Sequence, residues 1–153
     1  MSTLTHQEMV DYPSKLYAFW NTGEMDKFYD LLDEKIVDHN AGDSESGREG
    51  VKTALNTVRS AFPDSKYTVI NVIADVETSM ICAFVWMEGT QTGDLFGTPP
   101  SGKFAKWKEI RMVKLAKKDD GKIVTTDHWA VLDGLTMMTQ LGHVEKKNER
   151  SSW

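Results

Sequence analysis

The stretch DGKIVTTDHWAVLDGLTMMTQLG, residues 120–142, decides the fold class of this chain. Its Asp-Gly start is typical of a tight turn, and the apolar, β-branched run that follows is typical of a strand. The run brings an aromatic residue, Trp129, and then a carboxylate, Asp133, to the point where the chain enters a short helix. This order suits an acid or base held at the mouth of a cavity that is lined by a sheet.

Working outward from this stretch, the pattern changes from strands to helices towards the N-terminus. Apolar and β-branched runs predict strands over residues 67–76, 80–92, 104–115 and 123–132. Helical spacing predicts helices from residue 5 to 23, from 24 to 32 and from 48 to 62, with a brief extended piece over 35–40. Helices followed by an antiparallel sheet indicate an α+β domain. Strands of this length curl, and a curled sheet closed by helices leaves a pocket for a small ligand.

Sequence signals also mark where the helices begin. Thr5 with Glu8, and Ser46 with Glu49, have the spacing of capping boxes. Pro13 is expected to open a second helical stretch, because a proline in the first turn loses no hydrogen bond.

Composition excludes several classes of protein. The 153 residues include 18 basic and 23 acidic ones, and a formal charge of −5 argues against general nucleic-acid binding. No apolar run approaches the ~20 residues that cross a membrane. The single cysteine, Cys82, fits a cytoplasmic protein without disulfides. We expect one domain over residues 1–143 and a charged, frayed tail over 144–153.

Six short motifs occur in one order over residues 12–142: VDH at 37–39, GREG at 47–50, AFPD at 61–64, EGTQTG at 88–93, FGTPPSG at 96–102, and the closing stretch quoted above. Together they resemble the SnoaL-like polyketide cyclases and related ester cyclases. The resemblance implies the cone-shaped α+β barrel of the nuclear transport factor 2 superfamily. Its members close polyketide rings by aldol chemistry without metal or cofactor, while relatives on the same scaffold isomerise, dehydrate, hydrolyse or only bind.

Asp133 is the leading catalytic candidate, because the resembling cyclases use the aspartate four residues after this tryptophan as general acid and base. An aspartate has an ordinary pKa near 3.9, so an apolar surround would have to raise its pKa for work at neutral pH. The alternative is structural. Asp133 precedes Gly134-Leu135-Thr136 and is a favoured N-cap residue.

Two histidines and a glutamine are further candidates. His39 could donate a hydrogen bond to a substrate carbonyl, or could be a loop histidine that satisfies local backbone. Gln91 stands where many relatives carry histidine in a Gly-Thr-His-Thr-Gly stretch, and it leaves only a neutral amide for substrate binding. Strand alternation points Trp129 and Asp133 one way and His128 the other, which favours a structural role for His128.

Aromatic residues are numerous enough to line a pocket for a flat ligand, although core packing explains them equally well. The candidates for substrate contact are Trp20, Phe62, Trp86, Trp107 and Trp129. The four histidines have no close ligand spacing, so no metal site is expected.

We therefore expect a cofactor-independent cyclase or isomerase that acts on an apolar or aromatic carbonyl compound, with Asp133 moving the proton. One alternative is a non-catalytic ligand-binding domain of the same fold, and another is a related dehydratase or hydrolase. A third is a module that serves mainly for dimerisation. A homodimer or higher homo-oligomer is expected in any case, since sheets of the resembling fold often pair through their outer faces.

Overall fold

A computed structural model describes residues 3–40 and 47–145 of the chain. The capping box expected at Ser46 and nearly all of the expected C-terminal tail lie outside these residues. The elements, in chain order, are α1 (His6–Thr22), α2 (Met25–Asp30), β1 (Leu32–Asp38), α3 (Gly47–Ala61), β2 (Lys66–Asp75), β3 (Met80–Thr90), β4 (Phe104–Lys117), β5 (Ile123–Leu132) and α4 (Gly134–Gln140).

The five strands form one curled sheet in the order β1-β5-β4-β3-β2. Three neighbouring pairs are antiparallel, as expected, but β1 runs parallel to β5. The two edge strands, β1 and β2, are not paired with each other, so the sheet is an unclosed cone. The α+β prediction is confirmed, but β1 is parallel to its neighbour β5 rather than antiparallel.

The N-terminal helix differs from the prediction in one respect. Thr5 and Glu8 form the expected capping box, and Gly23 ends the helix with a φ of 80°. Pro13, however, lies inside α1, and the helix continues through it. Pro13 is buried, and the hydrogen bond that it lacks is lost within a single long helix rather than between two helices.

Strand alternation divides the sheet into an inner face, covered by α1 and α3, and an outer face. On β4 the inner side chains are Trp107, Glu109, Arg111 and Val113, and the outer ones include Ile110 and Met112. Lys106 and Lys108 also lie on the outer face, whereas Arg111, an odd number of residues further along the strand, lies on the inner one.

The outer face carries exposed apolar side chains in cross-strand rows. Ile73 is paired with Cys82, which is paired with Met112, and Ile110 is paired with Val131. Ile73 and Val131 are 74% and 72% exposed. No helix among the described residues is long and apolar enough to span a membrane.

Candidate active site

A cavity of about 240 Å³ lies between the helices and the inner face of the sheet. Its walls are apolar side chains from α1, α2, β1 and α3, namely Leu16, Trp20, Phe28, Leu32, Ile36, Val51, Ala54, Leu55 and Val58. The cavity predicted from the curled sheet is thus confirmed. Such a site suits a small, mostly apolar molecule.

Polar side chains meet at one end of this apolar cavity. Asp38 ends β1, His128 lies on β5, Arg111 lies on β4 and Tyr67 lies on β2, and all four line the cavity. The parallel register of β1 and β5 pairs Asp38 with His128, which brings a carboxylate and an imidazole together across the sheet. We call these four side chains the polar cluster.

Hydrogen bonds connect the polar cluster into a chain. His128 Nδ1 lies 3.2 Å from Asp38 Oδ1, and His128 Nε2 lies 3.1 Å from Arg111 Nη1. Arg111 Nη2 donates to the hydroxyl of Tyr67 at 3.0 Å. Behind Arg111, the carboxylate of Glu109 accepts from Arg111 Nε at 2.7 Å and from the indole N–H of Trp107 at 2.8 Å.

These contacts fix the tautomer of His128. A guanidinium only donates, so His128 Nε2 must accept from Arg111 through its lone pair. The proton of the neutral ring is then on Nδ1, where it is donated to the carboxylate of Asp38. His128, which lines the cavity, therefore has an unprotonated Nε2, while its Nδ1–H donates to the carboxylate of Asp38.

Burial, hydrogen bonds and neighbouring charges shift the pKa values of His128, Asp38 and Arg111. Burial lowers the pKa of His128, and the positive charge of Arg111 lowers it further. The hydrogen bond to Asp38 raises the pKa but does not outweigh these two effects. Burial opposes ionisation of Asp38, but hydrogen bonds from His128 and from the backbone of Asn40 outweigh it and lower the pKa of that carboxyl. Burial would also lower the pKa of Arg111, but attraction to Glu109 raises it well above its ordinary value.

These directions predict how stability depends on pH. The pKa of His128 is lowered by folding from an ordinary value of 6.5. As the pH falls through 6.5, the unfolded chain therefore binds a proton at His128 before the folded chain does, and the free energy of unfolding decreases. The loss is complete once the pH is below the folded-state pKa. Urea unfolding from pH 7 to pH 5 should show a shallower decline for His128→Gln than for the wild type. Equal slopes would contradict a buried, neutral His128.

Asp133 does not line this cavity. It is exposed at the end of β5 and caps α4, where its Oδ1 accepts from the backbone N–H of Thr136 at 3.1 Å. Hydrogen bonds from Thr136 lower the pKa of Asp133, which contradicts the expected raised value. The expected N-cap role of Asp133 is confirmed by its bond to Thr136. Asp133 lies away from the cavity because the strand phase that turns His128 inward turns Asp133 outward.

His39 and Trp129 share the outer face of the sheet edge rather than the cavity. Their rings are stacked, with centroids 4.1 Å apart and planes 5° apart, and His39 Nε2 lies 3.0 Å from Asp127 Oδ1. His39 follows the cluster residue Asp38, so its side chain points the opposite way. Neither His39 nor Trp129 lines this cavity.

Gln91 also lies outside the cavity lining. Its side chain is fully buried, and its amide nitrogen lies 3.1 Å and 3.2 Å from the carbonyl oxygens of Pro99 and Thr98. Its amide oxygen lies 2.8 Å from His143 Nε2. The amide expected to bind substrate holds the connection between β3 and β4 instead.

The other expected aromatic contacts divide between cavity and core. Trp20 lines the cavity, as expected. Phe62 and Trp107 pack on each other in the core, with ring centroids 5.4 Å apart. Trp86 lies on the outer face beneath the ammonium groups of Lys106 and Lys108.

Sequence reasoning missed Asp38, Arg111, Glu109 and Tyr67. One signal was present: Glu109 and Arg111 are two apart on a predicted strand, so opposite charges share one face. Buried charges are normally paired, and such a pair is compatible with an inward face.

Among the described residues, no three His, Cys, Asp or Glu side chains are arranged to hold a metal ion.

The family model of the SnoaL-like polyketide cyclases matches residues 12–141. A search of curated protein sequences gives no match.

Solved structures with the same fold cover most of the chain. IdmH of Streptomyces antibioticus, for which polyketide cyclase activity has been suggested, is 26% identical, with a TM-score of 0.68 over 86% of this chain and 96% of that one. AclR of Streptomyces galilaeus, for which hydroxylase activity has been suggested, is 19% identical, with a TM-score of 0.77 over 95% and 87% of the two chains. A SnoaL-like polyketide cyclase of Agrobacterium tumefaciens is 18% identical, with a TM-score of 0.69 over 93% and 100%. These structures confirm the predicted fold.

Proposed function

The chain belongs to the SnoaL-like polyketide cyclase family, and from that premise we propose that it catalyses acid–base chemistry on a small carbonyl compound in the cavity between helices and sheet. The observation that carries this proposal is the hydrogen-bond chain from Asp38 through His128 to Arg111, which assigns an unprotonated Nε2 to His128. His128 lines the largely apolar cavity, with Arg111 at one ring nitrogen and Asp38 at the other. Fold alone would not support it, because relatives of this architecture differ in reaction.

In the proposed reaction the substrate carbonyl replaces His128 as the acceptor of the Arg111 hydrogen bond. This exchange frees the Nε2 lone pair, which takes a proton from the carbon next to the carbonyl. Negative charge then develops on the carbonyl oxygen, where the N–H of Arg111 and the hydroxyl of Tyr67 can donate to it. The carboxylate of Asp38 stabilises the imidazolium, which later returns the proton to the product.

The volume of the cavity favours a substrate of about two fused rings. Its volume of about 240 Å³ is just below the range of roughly 300–1,000 Å³ that is usual for ligand pockets. The apolar walls exclude water, which strengthens each hydrogen bond to a developing oxyanion. Cyclisation, isomerisation and loss of water from such a carbonyl compound all begin with the same proton transfer.

The experiment uses β-tetralone, a bicyclic ketone with acidic protons next to its carbonyl. The protein in D₂O should exchange these protons faster than buffer does, as followed by proton NMR. Asp38→Asn should lower the exchange rate at saturating ketone by about tenfold to a hundredfold, because the neutral amide no longer stabilises the imidazolium.

Asp133→Asn is the matched control, since it removes the other candidate carboxylate but keeps an N-cap residue of similar strength. It should leave exchange unchanged. Loss of exchange in Asp133→Asn, with Asp38→Asn active, would return the proton transfer to Asp133. Binding of β-tetralone without any exchange would favour the non-catalytic ligand-binding alternative.

The proposal includes a homodimer in the cytoplasm. The exposed rows on the outer face, with Ile73, Ile110 and Val131, supply apolar surface of the kind that pairing of two sheets would bury. Cys82, half-buried on the same face, is the only cysteine in the sequence, which fits a cytoplasmic protein without disulfides.

A further inference from the structure

Two exposed apolar residues lie at the mouth of the cavity. Phe96, between β3 and β4, is 64% exposed, and Leu132, at the end of β5, is 46% exposed, yet both line the cavity. A large aromatic side chain left this open gains little from burial in the free protein. It would gain more from a flat molecule seated in the cavity below it.

Phe96 is also held in an unfavourable backbone conformation. Leu95 and Thr98 exchange two backbone hydrogen bonds of 2.9 Å around a two-residue turn, whose central residues Phe96 and Gly97 have φ values of 48° and 88°. A turn with two positive φ values favours Asn-Gly and disfavours a bulky residue at its first central position. The turn itself therefore gives no reason for a phenylalanine at position 96.

Buried groups fix the segment that carries this turn. The amide nitrogen of Gln91 bonds to carbonyl oxygens on both sides of it, at Thr98 and Pro99 and more weakly at Gly93. A Cβ on Gly93 would lie 2.6 Å from the carbonyl oxygen of Ser60, so the segment sits directly on the end of α3. Strained residues persist where the surrounding structure determines them, and they cluster at ligand sites.

We propose that Phe96 is a specificity-determining residue that covers a flat, bicyclic or aromatic ligand at the cavity mouth. This inference rests on the proposed function for the use of the cavity, but it concerns binding rather than proton transfer. The segment fixed by Gln91 holds Phe96 in this disfavoured conformation and thereby presents its ring to the ligand.

The test is Phe96→Asn, which gives the turn the residue that its backbone prefers. Calorimetric titration with β-tetralone should show an affinity three- to tenfold weaker than that of the wild type, roughly the loss of one aromatic contact. The thermal unfolding midpoint should stay the same or rise, because strain is removed. Phe104→Asn is the matched control, since Phe104 is 56% exposed outside the cavity, and it should leave affinity unchanged.

Three results would overturn the inference: unchanged affinity in Phe96→Asn, a lower unfolding midpoint in that variant, or a wild type that does not bind β-tetralone. Proton exchange separates this inference from the proposed function. If the wild type binds β-tetralone without proton exchange, the proposed proton transfer is wrong. Weaker binding by Phe96→Asn would in that case still support the contact between Phe96 and the ligand. With exchange present, Phe96→Asn should raise the half-saturating concentration and keep the rate at saturation.

Discussion

His128→Gln should reduce proton exchange on β-tetralone by about 10²- to 10⁴-fold at saturating ketone, the range expected for loss of a general base. Glutamine can still accept from Arg111 through its amide oxygen, but an amide does not take a proton at neutral pH. Binding should change little, because the apolar walls are intact. Proton NMR in D₂O measures the exchange, and calorimetric titration measures the binding.

The pH dependence of exchange supplies a second readout. The wild-type rate should fall on the acid side as His128 becomes protonated, at a pH below the ordinary 6.5 because burial lowers the pKa of this histidine. His39→Gln is the matched control, because His39 stacks on Trp129 outside the cavity. Exchange that survives in His128→Gln with the same acid limb would contradict the assignment of the base.

The fold was predictable from local patterns, since strand runs, turn residues and capping boxes each act over a few residues. Which face of β5 meets the cavity was not. Alternation separated His128 from Trp129 and Asp133 correctly, but both faces of β5 mix polar and apolar side chains. The choice between them depends on how β5 pairs with its two neighbours, and that register is set by contacts far along the chain.

Asp38 illustrates the same limit. It precedes His39 in the sequence, and the histidine carries the stronger local signal because histidine is the side chain most often used as a general acid or base. Only the parallel pairing of β1 with β5 places Asp38 beside His128, which is 90 residues away. That pairing also turns His39 to the opposite face, so the residue with the stronger local signal is the one outside the cavity.

Arg111→Met should lower the free energy of unfolding by about 3–5 kcal/mol, because it leaves a buried carboxylate without its partner. Glu109 is 3% exposed, and without Arg111 only the indole N–H of Trp107 would remain to bond its oxygens. Tyr67 and His128 would lose a donor as well. Urea unfolding at pH 7 measures the change. Lys114→Met, on the exposed side of the same strand, should stay within about 0.5 kcal/mol of the wild type.

The double variant Glu109→Gln/Arg111→Met separates the unpaired charge from the lost packing. Removing both charges should recover most of the stability lost in Arg111→Met, because the penalty comes from the isolated carboxylate. The glutamine oxygen can still accept from Trp107. If the loss of stability in the double variant equals the sum of the losses in the two single variants, the ion pair contributes no coupling energy. Arg111 would then stabilise the fold mainly through packing. If stability recovers while proton exchange is lost, the fold can dispense with these two charges, and Arg111 is needed for the chemistry rather than for stability.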